Sequence, residues 1–357
     1  MNVWVYAIAK DEARFAARWM QSMAEADGVA VLDTGSTDGT PDILRSLGAV
    51  VECRKIEPWR FDTARNESMR LVPPGADVLV CTDLDEILCP GWRRALEDNW
   101  REGATTGRYE YVWSFNADGS DGTKFLYEKI HAPGVCRWTH PVHEILSYDV
   151  PKVFCELPIR LEHHPDGEKS RAGYLPLLEM SVAEDPDDDR NRHYLGREYM
   201  FRGRWDDCIR TLREHLAMPR ATWTPERAAS MRYIARCYAA KGDAERRELW
   251  LFRAAMEAPE QREAWLELGR LAYGRGDWRG CVRYLTRCLD IKKRDMSYTS
   301  TPEAWGPLPW DMISIAWWKL GERGYAAACA REALRLGGDK ERIGRNLAIF
   351  ARKQNNS

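Results

Sequence analysis

The sequence lacks any run close to the roughly 18 consecutive apolar residues that a membrane-spanning helix needs, so we do not expect an integral membrane protein. Its first residues, MNVWVYAIAKDEARF, contain no basic stretch followed by an apolar one, and a secretory signal is not expected either. The ten cysteines include no CxxC pair, which argues against a zinc ribbon or a dense disulfide framework. Reduced thiols in the cytoplasm are the simplest interpretation.

The net charge of −2 conceals an uneven distribution of charge along the chain. Residues 1–189 contain 20 Lys and Arg against 34 Asp and Glu, a balance of −14, whereas residues 190–294 contain 24 against 14, a balance of +10. The acidic stretch AEDPDDDR between them has the composition of a linker. We therefore predict two domains, 1–182 and 183–357. The basic part meets an anionic partner, attracts the acidic half, or only carries solvated helix faces.

Short apolar runs alternate with helical patterns in the first part of the chain. The runs VWVYAIA, GVAVLDT, AVVECRK and ADVLVCTDLD predict buried strands at 3–9, 28–34, 49–55 and 76–85. This alternation is typical of an α/β domain with a parallel sheet. Longer alternating runs between 107 and 165 predict an antiparallel extension of that sheet.

The second part of the chain is helical in pattern and repetitive. Four turn glycines are spaced by 39, 34 and 45 residues: Gly203, Gly242, Gly276 and Gly321. Seven residues before each of them stands a small residue: Gly196, Ala235, Gly269 and Ser314. Five residues after the turn glycines stand Cys208, Arg247, Cys281 and Ala326, and twelve residues after them stand His215, Ala254, Cys288 and Ala333. All of these residues are small except Arg247 and His215. Small residues at fixed offsets let two helices cross closely, and residues 190–350 resemble tetratricopeptide repeats, whose period is about 34.

Two motifs follow predicted strands of the first domain. In DTGSTDGT (33–40), Asp33 stands at the carboxyl end of a strand, where its side chain can accept a hydrogen bond from a nucleotide; a well-capped turn is the alternative. In DLDEIL (83–88), two carboxylates separated by one residue can hold Mg²⁺ or Mn²⁺ against phosphate oxygens, or form a solvated turn. Between them, Arg65 and Asn66 lie in a predicted helix whose N-terminus could face an anion.

In this order and spacing, the motifs resemble those of family 2 glycosyltransferases with the GT-A fold. The resemblance covers about 1–165 and rests on Lys10-Asp11-Glu12, DTGSTDGT, FDTARN and DLDE. Together with the repeats, the chain resembles the bacterial and phage branch that includes the sublancin-type peptide S-glycosyltransferases. HPVHE (140–144) and LEHHPDGEKSR (161–171) fit that branch, whereas Thr34 departs from the second acidic residue of many family 2 enzymes. The resemblance implies a Rossmann-like GT-A nucleotide-sugar domain followed by an all-α repeat domain.

The resemblance also implies roles for individual residues. Asp33 and Arg65 would contact a uracil-type base, helped by the backbone around Ala7 and Ile8. The donor would thus be a nucleotide sugar of the UDP type. Lys169 and Arg171 would neutralise the leaving group.

A divalent metal, Mn²⁺ or Mg²⁺, would complete the implied site. Asp83 would face the ribose or the metal, Asp85 would bind the metal directly, and His163 or His164 would add a further ligand. Glu144 would be the general base of an inverting transfer, with His143 as a second base or a ligand. A structural salt bridge is the alternative role for Glu144.

We therefore expect a metal-dependent glycosyltransferase whose repeats bind the acceptor or a second copy of the chain. The acceptor would be a peptide, a protein or a glycan, and the basic repeats keep modified nucleic acid as an alternative. A non-catalytic repeat scaffold with an inactive GT-A domain is the alternative of another class. Trp138, Trp305 and Trp310 are candidate acceptor contacts, and Arg232 and Arg236 are expected on an exposed face of the repeats.

Overall fold

The computed structural model describes residues 1–116, 118–165, 167 and 173–351. The chain forms two compact units, which we call the sheet unit (Met1–Glu184) and the helical unit (Asp185–Ser357). The strands of the sheet unit are β1 Val3–Ala9, β2 Gly28–Asp33, β3 Val50–Cys53, β4 Val78–Cys81, β5 Glu86–Leu88, β6 Thr106–Val112, β7 Lys124–His131, β8 Cys136–Thr139, β9 Ile145–Tyr148 and β10 Phe154–His163.

Within the described residues, the helices of the sheet unit are α1 Ala13–Ser22, α2 Thr40–Ser46, α3 Phe61–Met69, α4 Trp92–Asn99 and α5 Tyr174–Glu184. The helical unit contains α6 Asp189–Phe201, α7 Trp205–Ala217, α8 Thr224–Ala240, α9 Ala244–Glu257, α10 Arg262–Gly274, α11 Trp278–Asp290, α12 Pro302–Trp305, α13 Leu308–Lys319, α14 Arg323–Arg335 and α15 Lys340–Ala351. In the described part of the chain, each helix is too short or too polar to cross a lipid bilayer.

Eight strands form one mixed sheet in the order β3-β2-β1-β4-β7-β6-β10-β5. The four apolar runs predicted as parallel strands do pair in parallel, with β1 between β2 and β4 and with β3 beside β2. The extension is antiparallel at β4–β7 and β7–β6, but β10 runs parallel to β6. The predicted extension is thus correct in location and only partly correct in direction. A separate hairpin joins β8 and β9.

The central parallel strands are buried on both faces, and the larger apolar core lies on one of them. Val3, Val5 and Ala7 of β1 pack there with Trp19 of α1, all completely buried. Trp138, a candidate acceptor contact, lies in a second core cluster and is 3% exposed. Its indole Nε1 donates to the Tyr6 hydroxyl at 2.8 Å, so this candidate acceptor contact is engaged within the core of its own chain.

Four helical hairpins make up most of the helical unit, and each turns at a predicted glycine. All four turn glycines adopt the left-handed backbone conformation, with φ between 70° and 86°. This conformation is unfavourable for residues with a Cβ, which is why glycine recurs there. Asp243 and Asp277 follow two of these glycines and cap α9 and α11 by accepting from backbone amides at 2.9 Å.

The small residues allow the two helices of a hairpin to approach closely. A Cβ at Gly196 would stand 2.3 Å from Leu212, and one at Gly269 would stand 2.4 Å from Leu285. The residues twelve positions after the turn glycines are completely buried in all four hairpins: His215, Ala254, Cys288 and Ala333. The predicted repeat architecture is confirmed, including the position at which a histidine replaces a small residue.

The chain between α11 and α12, residues 291–301, is neither helix nor strand, and we call it the connecting segment. It packs on the first helices of the hairpins through contacts with Arg232 and Arg262. Arg232 is only 3% exposed, so the prediction that it lies on an exposed face is wrong. Trp305, just beyond the segment, is half-buried beneath the Arg262 guanidinium at 4.0 Å, which ties this candidate acceptor contact to its own chain.

Candidate functional site

The candidate site lies at the end of the sheet where the parallel strands β1, β2 and β4 have their carboxyl termini. Ala7 and Ile8 of β1 pair with Val31 and Leu32, which places them beside the end of β2. Asp33 closes β2, and its Oδ1 accepts from the amides of Gly35 and Ser36 at 3.0 Å. Its Oδ2 is buried and has no hydrogen-bond partner within the described residues. The capped turn is therefore formed, and one carboxylate oxygen remains available.

Arg65 of α3 is buried at the centre of an ionic cluster. Its guanidinium donates to Asp83 Oδ1 at 2.8 Å and to Glu144 Oε1, and its carbon atom lies 5.1 Å from the centre of the Trp138 ring. The structure thus brings together three of the residues singled out in the sequence: Arg65, Asp83 and Glu144. The salt bridge left open as the alternative for Glu144 is formed.

A second buried cation, Lys129 of β7, completes the cluster. Its Nζ contacts Asp83 Oδ2 at 3.1 Å and Glu86 Oε1 at 3.3 Å, and the Tyr111 hydroxyl donates to Glu86 at 2.7 Å. Burial opposes ionisation of Asp83, but the charges of Arg65 and Lys129 hold its pKa well below the ordinary value. Burial raises the pKa of Glu86 above its ordinary value. Both oxygens of Asp83 are thereby engaged by protein cations.

Asp85 and His163 form a separate pair at the same end of the sheet. His163 Nε2 lies 3.5 Å from Asp85 Oδ2, and its Nδ1 lies 3.1 Å from the Trp113 carbonyl. The Trp113 ring stacks on the imidazole at a centroid distance of 4.2 Å. Burial alone would lower the pKa of His163, but its contact with Asp85 raises it above the ordinary value.

The remaining predicted residues are dispersed. His143 has a positive φ of 53°, and its ring contacts Tyr174 edge-on at 5.8 Å. The ring of His164 stacks on Phe115, and its Nε2 lies 3.3 Å from Glu162. Lys169 and Arg171 lie outside the described residues.

Sequence reasoning missed Lys129, Glu86, Tyr111 and Trp113. Glu86 adjoins the DLD motif, and Lys129 interrupts the apolar alternation of the run KFLYEKI, which was the available signal. A lysine on the buried face of a strand requires a carboxylate partner. The identity of that partner depends on the sheet order, which places β7 directly beside β4.

Comparisons with known proteins find similar solved structures only. No family model matches the chain, and no curated protein matches it. Among solved structures, the chain is similar to MamA, with 17% identity over 48% of this chain and 90% of that one and a TM-score of 0.37. It is also similar to PilF of Pseudomonas aeruginosa, with 13% identity over 49% of this chain and 72% of that one and a TM-score of 0.38.

A third similar structure is the C-terminal part of a TPR repeat-containing protein from Cytophaga hutchinsonii. It is 13% identical over 50% of this chain and 64% of that one, with a TM-score of 0.40. No glycosyltransferase is found among these similar structures, and no family model matches the chain. The predicted membership in glycosyltransferase family 2 and the predicted transferase activity are therefore wrong.

Proposed function

We propose that the chain is a non-catalytic scaffold whose helical unit binds an extended, acidic polypeptide. The observation that carries this proposal is the way the first helices of the hairpins already hold a non-helical stretch of chain. Arg262 Nε donates to the Ile291 carbonyl at 2.8 Å, and Glu263 accepts from the Thr301 amide at 2.9 Å. These are contacts to main-chain atoms, which every polypeptide offers. Stacked helical hairpins present the extended surface that such binding needs.

The face of α6 around Tyr194, a residue that is itself only 6% exposed, suggests the chemistry of the partner. Arg190 and Arg197 place their guanidinium groups 4.7 and 4.4 Å from the centre of the Tyr194 ring. Phe201, one turn beyond Arg197, is 56% exposed. A face that combines guanidinium groups with aromatic rings suits carboxylates and apolar side chains. The balance of +10 over residues 190–294 favours an acidic partner over a basic one.

Peptides of opposite charge test the proposal. We expect a fluorescently labelled peptide rich in Glu and Phe to bind the full chain, and a matched peptide rich in Lys and Phe to bind at least 10-fold more weakly by anisotropy. The double substitution Arg197→Glu with Phe201→Ala should weaken binding of the acidic peptide at least 10-fold. Arg279→Glu is the matched control, because Arg279 is exposed on α11, which is the second helix of its hairpin. Equal binding of both peptides, or an unaffected double variant, would show that the scaffold proposal is wrong.

For the sheet unit, we propose binding, without transfer, of a nucleoside diphosphate. The free Oδ2 of Asp33 supports this second role, since a carboxylate at the end of a parallel strand accepts hydrogen bonds from a nucleoside. Mg²⁺ and Mn²⁺ are commonly held by one or two carboxylates together with the phosphates of the ligand. Asp85 fits that requirement, whereas both oxygens of Asp83 already contact cations. The metal would bridge the diphosphate to Asp85.

Titration calorimetry with UDP and Mn²⁺ tests this role. We expect UDP to bind the wild type and Asp33→Asn to bind it at least 10-fold more weakly. Asp85→Ala should remove the dependence on Mn²⁺. Asp42→Asn changes a carboxylate whose side chain is 84% exposed and serves as the control. Failure of the wild type to bind UDP in the presence of Mn²⁺ would refute the proposal.

A further inference from the structure

Three ligand-type side chains converge inside the helical unit. His193 of α6, His215 of α7 and Glu226 of α8 each place one ligand atom within 4.8 Å of the other two. Both histidines are completely buried, and Glu226 is 4% exposed. Within the described residues, this is the one group of three or more such side chains that meets in this way.

The hydrogen bonds of the two imidazoles leave one nitrogen of each ring without a partner. Ser230 Oγ lies 2.7 Å from His193 Nδ1 and 3.0 Å from His215 Nδ1. A serine oxygen has two lone pairs, so it can accept from both Nδ1–H groups, which leaves a lone pair on each Nε2. Within the described residues, both Nε2 atoms are buried without a hydrogen-bond partner. Such orphaned buried atoms are uncommon in folded proteins, and a bound ion is one of the few ways in which they are satisfied.

The carboxylate of Glu226 contributes the negative charge of the cluster. Its Oε2 accepts from the Tyr298 hydroxyl, and its Oε1 lies 3.5 Å from His215 Nε2. In the described part of the chain, the basic group in contact with this carboxylate is thus the His215 imidazole rather than an arginine or a lysine, and the two atoms at 3.5 Å form no hydrogen bond. A buried carboxylate without a permanent cation is costly, and a divalent metal would neutralise it.

We propose that His193, His215 and Glu226 form a zinc site that joins α6, α7 and α8. Two imidazoles and one carboxylate are a ligand set that Zn²⁺ prefers, and a water molecule would take the fourth position. The bond from each Nδ1 to Ser230 would fix the ring orientation, as hydrogen bonds to metal-binding histidines generally do. Tetrahedral zinc with bonds of about 2.1 Å needs ligand atoms about 3.4 Å apart. The side chains would therefore draw inward by about 1 Å.

This inference rests only on the helical unit and is independent of both functional proposals. The metal would join the first hairpin to the first helix of the second one. The offsets of the repeats support this assignment, because His215 occupies a position where the other hairpins have Ala254, Cys288 and Ala333. A larger polar side chain at that position requires a reason beyond close packing.

Zinc binding to the full, chelator-treated chain tests the proposal. With a chromophoric competitor, we expect one tightly bound zinc per chain. Cobalt should give the visible absorption of a four-coordinate site without a sulfur-to-cobalt charge-transfer band, which distinguishes this site from the ten free cysteines. A wild type that binds no zinc, or whose cobalt spectrum shows thiolate ligands, would overturn the proposal whether or not any variant folds.

Four variants assign the ligands. His215→Ala and Glu226→Gln should each lose the bound zinc, and Ser230→Ala should weaken zinc binding by about 10- to 100-fold. His163→Ala, in the sheet unit, is the matched control and should keep one zinc per chain. Loss of zinc in His163→Ala together with retention in His215→Ala would place the metal at Asp85 and His163 and would refute the proposal.

Discussion

Histidines buried in the two units differ in how their ring nitrogens are satisfied. In the sheet unit, His131 Nδ1 donates to the Ala132 carbonyl at 2.9 Å, and its Nε2 accepts from the Tyr6 hydroxyl at 2.8 Å. In the helical unit, His193 and His215 share Ser230 through Nδ1, and each Nε2 has no partner within the described residues. The first arrangement is complete by itself. The second is complete only with a ligand, so equal burial does not imply an equal role.

The same contrast extends to the charged groups. The sheet unit balances Arg65 and Lys129 against Asp83, Glu86 and Glu144. In the helical unit, Glu226 Oε1 lies 3.5 Å from His215 Nε2 without a hydrogen bond, and Glu226 Oε2 accepts from the Tyr298 hydroxyl. Interior charges that are paired with each other favour one conformation, and removing one member leaves a buried charge without compensation.

The largest expected effect follows from breaking the balanced cluster of the sheet unit. Arg65→Met leaves Asp83 and Glu144 without their shared cation, and removing one member of a buried ion pair costs about 3–5 kcal/mol. Arg54→Met, which removes a side chain that is 44% exposed and paired with Glu52 and Glu67, should cost about 1 kcal/mol or less. Urea denaturation measures both. A loss below about 1 kcal/mol in Arg65→Met would show that the cluster is not a stability element.

A second test uses the pKa of the satisfied histidine. Burial lowers the pKa of His131 to about 4, against 6.5 for an ordinary histidine. Because the unfolded chain then binds the proton more readily, this residue contributes stability above pH 6.5 that is lost as the pH falls towards 4. Between pH 7 and pH 5 the loss is about 2 kcal/mol. Denaturation of wild type and His131→Gln at both pH values checks this, and an equal pH dependence in the two proteins would contradict it.

The smallest expected effect concerns the close packing between helices of the helical unit. Gly196→Ala forces a methyl group against Leu212, and such overpacking costs about 1–3 kcal/mol although alanine favours helix. Gly344→Ala in α15 meets no atom within 4 Å and should stabilise by about 0.5–1 kcal/mol. Thermal denaturation should therefore shift in opposite directions for the two variants. A shift of the same sign would mean that the helices separate to admit the methyl group.

Much of the fold could be predicted because its signals are local. The turn glycines require a left-handed conformation, and the small residues at fixed offsets identify the face where Gly196 meets Leu212. The parallel strands were evident from continuous apolar runs. The direction of β10 was not, because it depends on a partner strand about 50 residues away in sequence.

The site was less predictable because its partners are remote in sequence. Arg65, Asp83 and Glu144 were singled out together, but the sequence does not show that Lys129 also forms an ion pair with Asp83. The aspartates of DLDE therefore carried too much weight in the family assignment. His215 appeared in the sequence only as a break in the small-residue pattern, and its partners His193 and Glu226 stand on two other helices.

The connecting segment has a consequence for any partner of the helical unit. Because residues 291–301 belong to the same chain, they compete for the first helices at an effective concentration on the order of millimolar. A peptide that binds to Arg262 and Glu263 must first displace the connecting segment from them. Tyr298 of the segment also stacks on Tyr194 of α6 at a centroid distance of 5.8 Å, so a peptide that binds along α6 meets the segment as well. The segment therefore lowers the apparent affinity of the helical unit for every partner that uses these helices.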